Sequence, residues 1–192
     1  MVKTVRANTP AINLVQLRIE LSDVTPAVWR SVVVPEDITL TKLHSVIQIA
    51  MGWAFAHMHQ FYIAGKIYGI ADPDDEYSSV ISQARKSLNK VLEGEAVFRY
   101  VYDFGDDWDH WITVERLLPA NAYPQAPWCI GGANACPLED IGGAVGHADY
   151  IAAISDPSHP QYEAMLEWVG DDYDPAEFDL ALTNEWLEET RR

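Results

Sequence analysis

The residues best placed to do chemistry are Tyr100 to His110, which read Tyr-Val-Tyr-Asp-Phe-Gly-Asp-Asp-Trp-Asp-His. Four carboxylates, one histidine and four aromatic residues fall within these eleven positions. Carboxylates at this density hold a cation, a metal ion or an amide-bearing ligand, or they face water at a turn, where aspartate is favoured. Both readings stay open. The candidate ligand-binding residues are Tyr102, Asp103, Asp106, Asp107, Trp108 and Asp109. His57 and His59 lie two apart and share one face of an extended segment, so with His110 they form a candidate metal-ligand set. A two-histidine, one-carboxylate site with an open position activates water or binds iron. No His-Glu-x-x-His spacing accompanies it.

A β-hairpin must position this stretch. Phe98, Tyr100, Tyr102 and Phe104 alternate with Val97, Arg99, Val101 and Asp103; downstream, Trp108, His110, Ile112 and Val114 alternate with Asp109, Trp111, Thr113 and Glu115. Successive strand residues face opposite sides, so register decides which set is buried. A three-residue loop, Gly105-Asp106-Asp107, pairs Phe104 with Trp108 and Tyr102 with His110, and puts both apolar sets on one face. It also sets Asp103 opposite Asp109, a like-charge pair that calls for a cation. Arg30, within the stretch Val28 to Val34, is the candidate neutraliser and is counted with the ligand-binding residues.

The remaining chain supplies a frame. Strands are expected over Ile12 to Leu21 and Val28 to Val34, and a covering helix over Leu40 to Met51, with Thr39 as N-cap and Gly52 just past its end. A strand over Trp53 to Ile63 turns at Gly65-Lys66 into Ile67 to Ile70. Residues 71–77 form an acidic loop without EF-hand spacing, read as solvated. Ser79 to Leu92 carries one or two helical turns. Pro119 to Gly146, rich in proline and glycine, reads as an irregular segment whose part 136–143 is a lid for the hairpin tip. Short helices follow over His147 to Ile154, Gln161 to Val169 and around Leu180 to Leu187. The expectation is one α+β domain across residues 1–192, with a core over about 12–188. Its mixed, antiparallel-rich sheet has about five or six strands, one covering helix and a C-terminal group of short helices.

Composition narrows the function classes. The 192 residues are 48% hydrophobic and 22% charged, with a net charge of −16. The charge is uneven: residues 1–96 net −1 and residues 97–192 net −15. Nucleic acids are held through Lys and Arg on phosphates, so this balance opposes them as partners. No apolar run reaches the ~20 residues of a membrane span, and the first ten residues lack a signal-peptide core. A cytoplasmic protein is expected, with Cys129 and Cys136 as reduced thiols; their six-residue spacer is not a zinc knuckle.

Several motifs, in order, resemble the plasmid pRiA4b ORF-3-like family, whose members travel with insertion elements. They are Pro-Ala-Val-Trp-Arg (26–30), Val-Pro-Glu-Asp-Ile-Thr-Leu (34–40), Met-Gly-Trp (51–53) and His-Met-His-Gln-Phe (57–61). Tyr-Asp-Phe-Gly-Asp-Asp-Trp-Asp-His (102–110), Cys-Pro-Leu-Glu-Asp-Ile-Gly-Gly (136–143) and Trp-Val-Gly-Asp-Asp-Tyr-Asp-Pro-Ala-Glu-Phe-Asp (168–179) complete the set. The resemblance implies a mobile-element association but no defined activity. The resolvase chemistry attached to some relatives needs a nucleophilic serine among arginines, which is not visible here. Relatives place a third cysteine where this chain has Ile141, so the resemblance does not carry a cysteine metal site. The reading is a binding module that uses the acidic tip for a cationic or amide-bearing ligand or protein partner. The alternatives are a metal-dependent hydrolase with a divalent metal at His57, His59 and His110 together with Asp103, Asp107 or Asp109, and, least favoured, a nucleic-acid protein.

Overall fold

Strand β1 (Leu14–Leu21) sets the parity of the whole sheet. Val15, Leu17, Ile19 and Leu21 are buried on one face, while Arg18 and Glu20 stay half-exposed on the other. A computed structural model describes residues 13–71, 77–170 and 173–191. β1 pairs antiparallel with β2 (Trp29–Pro35) on one side. After helix α1 (Leu40–Met51) come β3 (His59–Ile63), β4 (Lys66–Gly69), β5 (Val80–Ser82) and the single turn α2 (Leu88–Val91). The central hairpin, β6 (Val97–Tyr102) and β7 (Trp108–Leu118), is followed by β8 (Trp128–Ala133). Helices α3 (Gly143–Ser155), α4 (Tyr162–Val169) and α5 (Leu180–Glu189) close the chain. The strands form one sheet in the order β5-β4-β3-β6-β7-β1-β2-β8, antiparallel except for β4 with β5.

The α+β class is as expected, but the sheet has eight strands rather than five or six. The two extra strands stand where the sequence shows no alternation. β5 has three residues and sits in a stretch read as helical. β8, Trp-Cys-Ile-Gly-Gly-Ala, sits in the segment read as irregular. β5 is short, and the Gly-Gly of β8 weakens its own strand preference; each is completed by pairing with a neighbour's open edge. The strand expected over Trp53 to Ile63 begins only at His59. Residues 72–76 of the acidic loop lie outside the described residues.

Helix α1 covers the apolar face with Leu40, Leu43, Val46, Ile47 and Ala50, all buried. Its ends follow their signals. Thr39 Oγ1 accepts a hydrogen bond from Lys42 N, and Gly52 takes the left-handed φ of +101° that ends the helix.

Arg30 has a structural position quite different from the one expected. It is 1% exposed, and its guanidinium donates to the carbonyls of Trp29, Ala50, Ala133 and Asn134 while lying 3.9 Å from the Phe178 ring centre. It therefore ties α1 to β8 and to the segment before α5 and does not neutralise the hairpin aspartates. Gly132 makes room for it: a Cβ there would meet Phe178 at 2.5 Å and Arg30 Cδ at 2.9 Å. Replacing Arg30 by leucine leaves buried carbonyls without a donor and should cost about 3 kcal/mol or more. Urea unfolding measures this, and a loss below about 1 kcal/mol would mean that the guanidinium is not what holds these segments.

Candidate functional site

The hairpin tip is built by a turn that aspartates make for themselves. β6 ends at Tyr102 and β7 begins at Trp108, so the connection is the five residues 103–107. The observed pairs are Tyr102 with Trp108, Tyr100 with His110 and Val101 with Asp109. The expected register is thus displaced by two residues. Because the displacement is even, every side chain keeps its face. Phe104 leaves the sheet and is 50% exposed, and Asp103 no longer opposes Asp109. Asp103 and Asp107 both take left-handed φ values, 56° and 54°, a conformation aspartate tolerates through local hydrogen bonds. Asp103 Oδ1 accepts from Gly105 N at 2.9 Å, and Asp103 N donates to Met58 O at 2.9 Å. The second contact anchors the tip to the segment leading into β3.

That segment carries His57. Its Nε2 atom is buried, has no hydrogen-bond partner, and stands 3.6 Å from Asp103 Oδ2, 3.4 Å from Glu139 Oε2 and 3.4 Å from Asp140 Oδ1. One ligand atom each from His57, Asp103 and Asp140 lie within 4.8 Å of one another. Tyr102 fixes the arrangement. Its hydroxyl accepts from Ala56 N and His57 N and donates to Glu139 Oε1 at 3.1 Å. Burial, aided by the neighbouring Glu139 carboxylate, pushes this phenol up to about 12, so it remains a donor. Glu139 Oε1 also accepts from Ala54 N, and Asp106 Oδ2 accepts from Gly142 N. The 136–143 segment therefore closes against the hairpin tip from both ends.

The other candidate residues have separate partners. Asp109 is held by Arg99 in a forked pair, the shortest contact being 2.7 Å. Trp108 is 1% exposed and lies against Trp53, while Asp107 is exposed in the turn. His59 stacks on His44 with ring centres 3.5 Å apart, and its Nε2 meets Gln83 Oε1 at 3.0 Å. His110 is fully buried, with Nδ1 on the Tyr100 carbonyl and its ring edge-on to Trp53. The structure thus brings His57 together with Asp103, and adds Glu139 and Asp140. His59 is engaged elsewhere, and His110 is bonded through Nδ1 while its buried Nε2 has no partner, away from this cluster. Glu139 and Asp140 escape sequence reasoning because nothing local marks them as ligands. The signal for them is indirect: they are the two acids of the segment read as a lid.

The cluster is electrostatically unbalanced. Three carboxylates surround one imidazole, and among the described residues no lysine or arginine forms an ion pair with Asp103, Glu139 or Asp140. Like charges this close repel unless a cation enters.

The inward-facing histidines predict a pH response. Burial lowers His44 to about 3, helped by the adjacent His59, and lowers His110 to about 4; it lowers His59 and His147 as well. An unfolded chain titrates these groups near 6.5, so between that value and the folded ones it binds more protons than the native state. Stability is then complete above about pH 6.5 and falls as pH drops. The melting temperature should decline between about pH 6.5 and 5, above the ordinary carboxylate range of about 4. A flat profile across that window would refute the assignment.

Three comparisons place the chain among known proteins. The family model described as "Plasmid pRiA4b ORF-3-like protein" matches residues 13–182. The chain is 37% identical over 181 residues to "Uncharacterized protein y4hQ" of Sinorhizobium fredii (strain NBRC 101917 / NGR234), covering 92% of each chain. It also resembles the crystal structure of a "Protein of Unknown Function MM3350" from Methanosarcina mazei Go1, with a TM-score of 0.80 and 32% identity over 88% of this chain and 96% of that one. Among the described residues, no helix is long and apolar enough to cross a membrane.

Proposed function

The chain belongs to the plasmid pRiA4b ORF-3-like family, and from its hairpin-tip geometry we propose that it is a cation-binding module whose ligand is a divalent metal ion held by His57, Asp103 and Asp140, with Glu139 beside them and the exposed Asp140 on the solvent side. One observation carries this reading. The buried, unpartnered His57 Nε2 sits 3.4–3.6 Å from three carboxylate oxygens. Donors about 2.0–2.1 Å from a tetrahedral zinc ion stand about 3.3–3.4 Å from one another. The nitrogen-to-oxygen distances are close to that separation, and the ligand atoms of His57, Asp103 and Asp140 all lie within 4.8 Å of one another, which is compatible with a shared ion.

The donor set selects among ions. One imidazole nitrogen with carboxylate oxygens suits zinc, manganese or iron(II), whereas calcium and magnesium prefer oxygen alone. Asp103 is pre-set for the role, since its Oδ1 is engaged by the turn and its Oδ2 faces the histidine. Three protein ligands leave a coordination position open, as in sites that bind or activate a small ligand. The hydrolytic alternative needs such a position but also needs His59 and His110, whose hydrogen bonds point to Gln83 and to the Tyr100 carbonyl.

The test is titration of chelator-treated protein with zinc and with manganese. Calorimetry should give one ion per chain. At about 100-fold excess over Kd the ion should add about 2.7 kcal/mol of stability, a rise of roughly 5–10 °C in melting temperature for a chain of this size. His57→Ala and Asp103→Asn should abolish both signals; asparagine retains an acceptor for Gly105 N, so the turn survives. If neither ion binds stoichiometrically to folded wild-type protein, the proposal fails.

A further inference from the structure

The sheet has a second face, and it carries a site of a different kind. Through the strand register, one row crosses five strands: Tyr62 pairs with Arg99, Arg99 with Trp111, Trp111 with Glu20, and Glu20 with Trp29. Paired residues share a face, and this is the face opposite α1, since their sequence neighbours Phe61, Phe98, Ile112 and Ile19 form the core. Trp111, near the middle of the row, is 49% exposed. Beside it opens a cleft of about 700 Å³, whose floor and wall include Arg18, Glu20, Ser22, Asp23, Trp111 and Thr113. Ser22 Oγ has no hydrogen-bond partner.

We infer that this cleft and the aromatic row bind a neutral oligosaccharide in extended form, stacked on the Trp111 indole. Three observations carry the assignment. The first is charge. Arg18 is paired with Glu20 at 2.8 Å and Arg99 with Asp109 at 2.7 Å, so the guanidinium groups are neutralised in place. A single-stranded nucleic acid would also stack on such a row, but it needs a cationic groove for its phosphates. The second is polarity. The indole is ringed by carboxylate, guanidinium and hydroxyl groups, the donors and acceptors that satisfy sugar hydroxyls while the apolar face of a pyranose covers the ring. The third is spacing. Trp29 and Trp111, and likewise Trp111 and Tyr62, are two strands apart, about 9.6 Å, close to the length of two pyranose units in an extended chain. Arg18 lies over the Trp29 ring, 4.2 Å from its centre, and Arg99 lies within 6 Å of the Tyr62 and Trp111 centres, so the row is braced and the half-exposed Trp111 is its main stacking platform.

The experiment is nitrogen-edited NMR on the full chain, following the indole N–H resonances during titration with cellohexaose, chitohexaose and β-1,4-mannohexaose, each to about 10 mM, where even a Kd of roughly 1 mM would register. At least one sugar should shift the Trp111 indole signal saturably. Trp111→Ala should weaken that binding about tenfold or more, while Phe104→Ala, an exposed aromatic at the hairpin tip, should leave it unchanged. Amide spectra of both variants establish that they are folded. No shift with any of the three sugars would overturn the inference. So would saturation of the Trp111 signal by oligothymidylate in place of the sugars, or binding that survives loss of Trp111.

Discussion

The Tyr102 phenol is the contact on which the acidic end of the molecule depends. Its oxygen, at zero exposure, takes hydrogen bonds from two successive backbone N–H groups at Ala56 and His57 and gives one to Glu139. Three segments distant in sequence meet at this atom: the link from α1 to β3, the end of β6 and the 136–143 segment. A buried hydroxyl without partners is costly, and so are buried N–H groups without acceptors. Each segment supplies what the others lack, which gives the loop after α1 a fixed course without regular secondary structure. The ring itself is stacked on Trp53 at 4.8 Å, and the Trp53 indole N–H donates to the Pro137 carbonyl, so the same residues are locked a second time.

This lock brings negative groups together at some expense. Asp103 is 7% exposed, and Glu139 is half-buried beside it. Water solvates these carboxylates less well than it would at an open turn, and the His57 imidazole is the single nitrogen base among them. The contrast with Asp109 is informative. That aspartate comes from the same run of residues, yet it is satisfied by the Arg99 fork. Two neighbouring acids thus have opposite electrostatic situations, one paired with an arginine and one with a single imidazole beside it.

Much of this frame was legible in the sequence. The alternation of β1, β6 and β7 fixed which side chains go inward, and α1 announced both its ends through Thr39 and Gly52. The hairpin register shows where such reading stops. Alternation determines faces, which repeat every two residues, but it does not distinguish registers that differ by two. The turn chemistry decides between them, and here the decisive bonds are Gly105 N to Asp103 Oδ1 and Asp107 N to Asp103 O. β5 and β8 were illegible for another reason, because the ladder that makes them strands belongs to their neighbours. The same holds for the site. His57 and Asp103 stand out by residue type, but Asp140 joins them through long-range contacts on either side of it, Glu139 with Tyr102 and Ala54, and Gly142 with Asp106. Arg30, conspicuous as a cation, proved to serve backbone carbonyls that no sequence pattern displays.

The two faces of β7 are coupled by the same parity. Trp108, His110 and Ile112 point into the core, so Asp109, Trp111 and Thr113 must point away from it. The buried pairing of Tyr102 with Trp108, which positions the acidic tip, is therefore also what presents Trp111 on the open face. A slip of one residue would destroy both, exposing an indole and an imidazole while burying the Asp109 charge and a threonine. An exposed tryptophan adds little to the core, and a threonine at position 111 would keep the alternation equally well. The sheet's parity explains why position 111 faces outward. Within the sheet, the indole's partner is the Arg99 guanidinium, 5.8 Å from its ring centre, on the strand next to it.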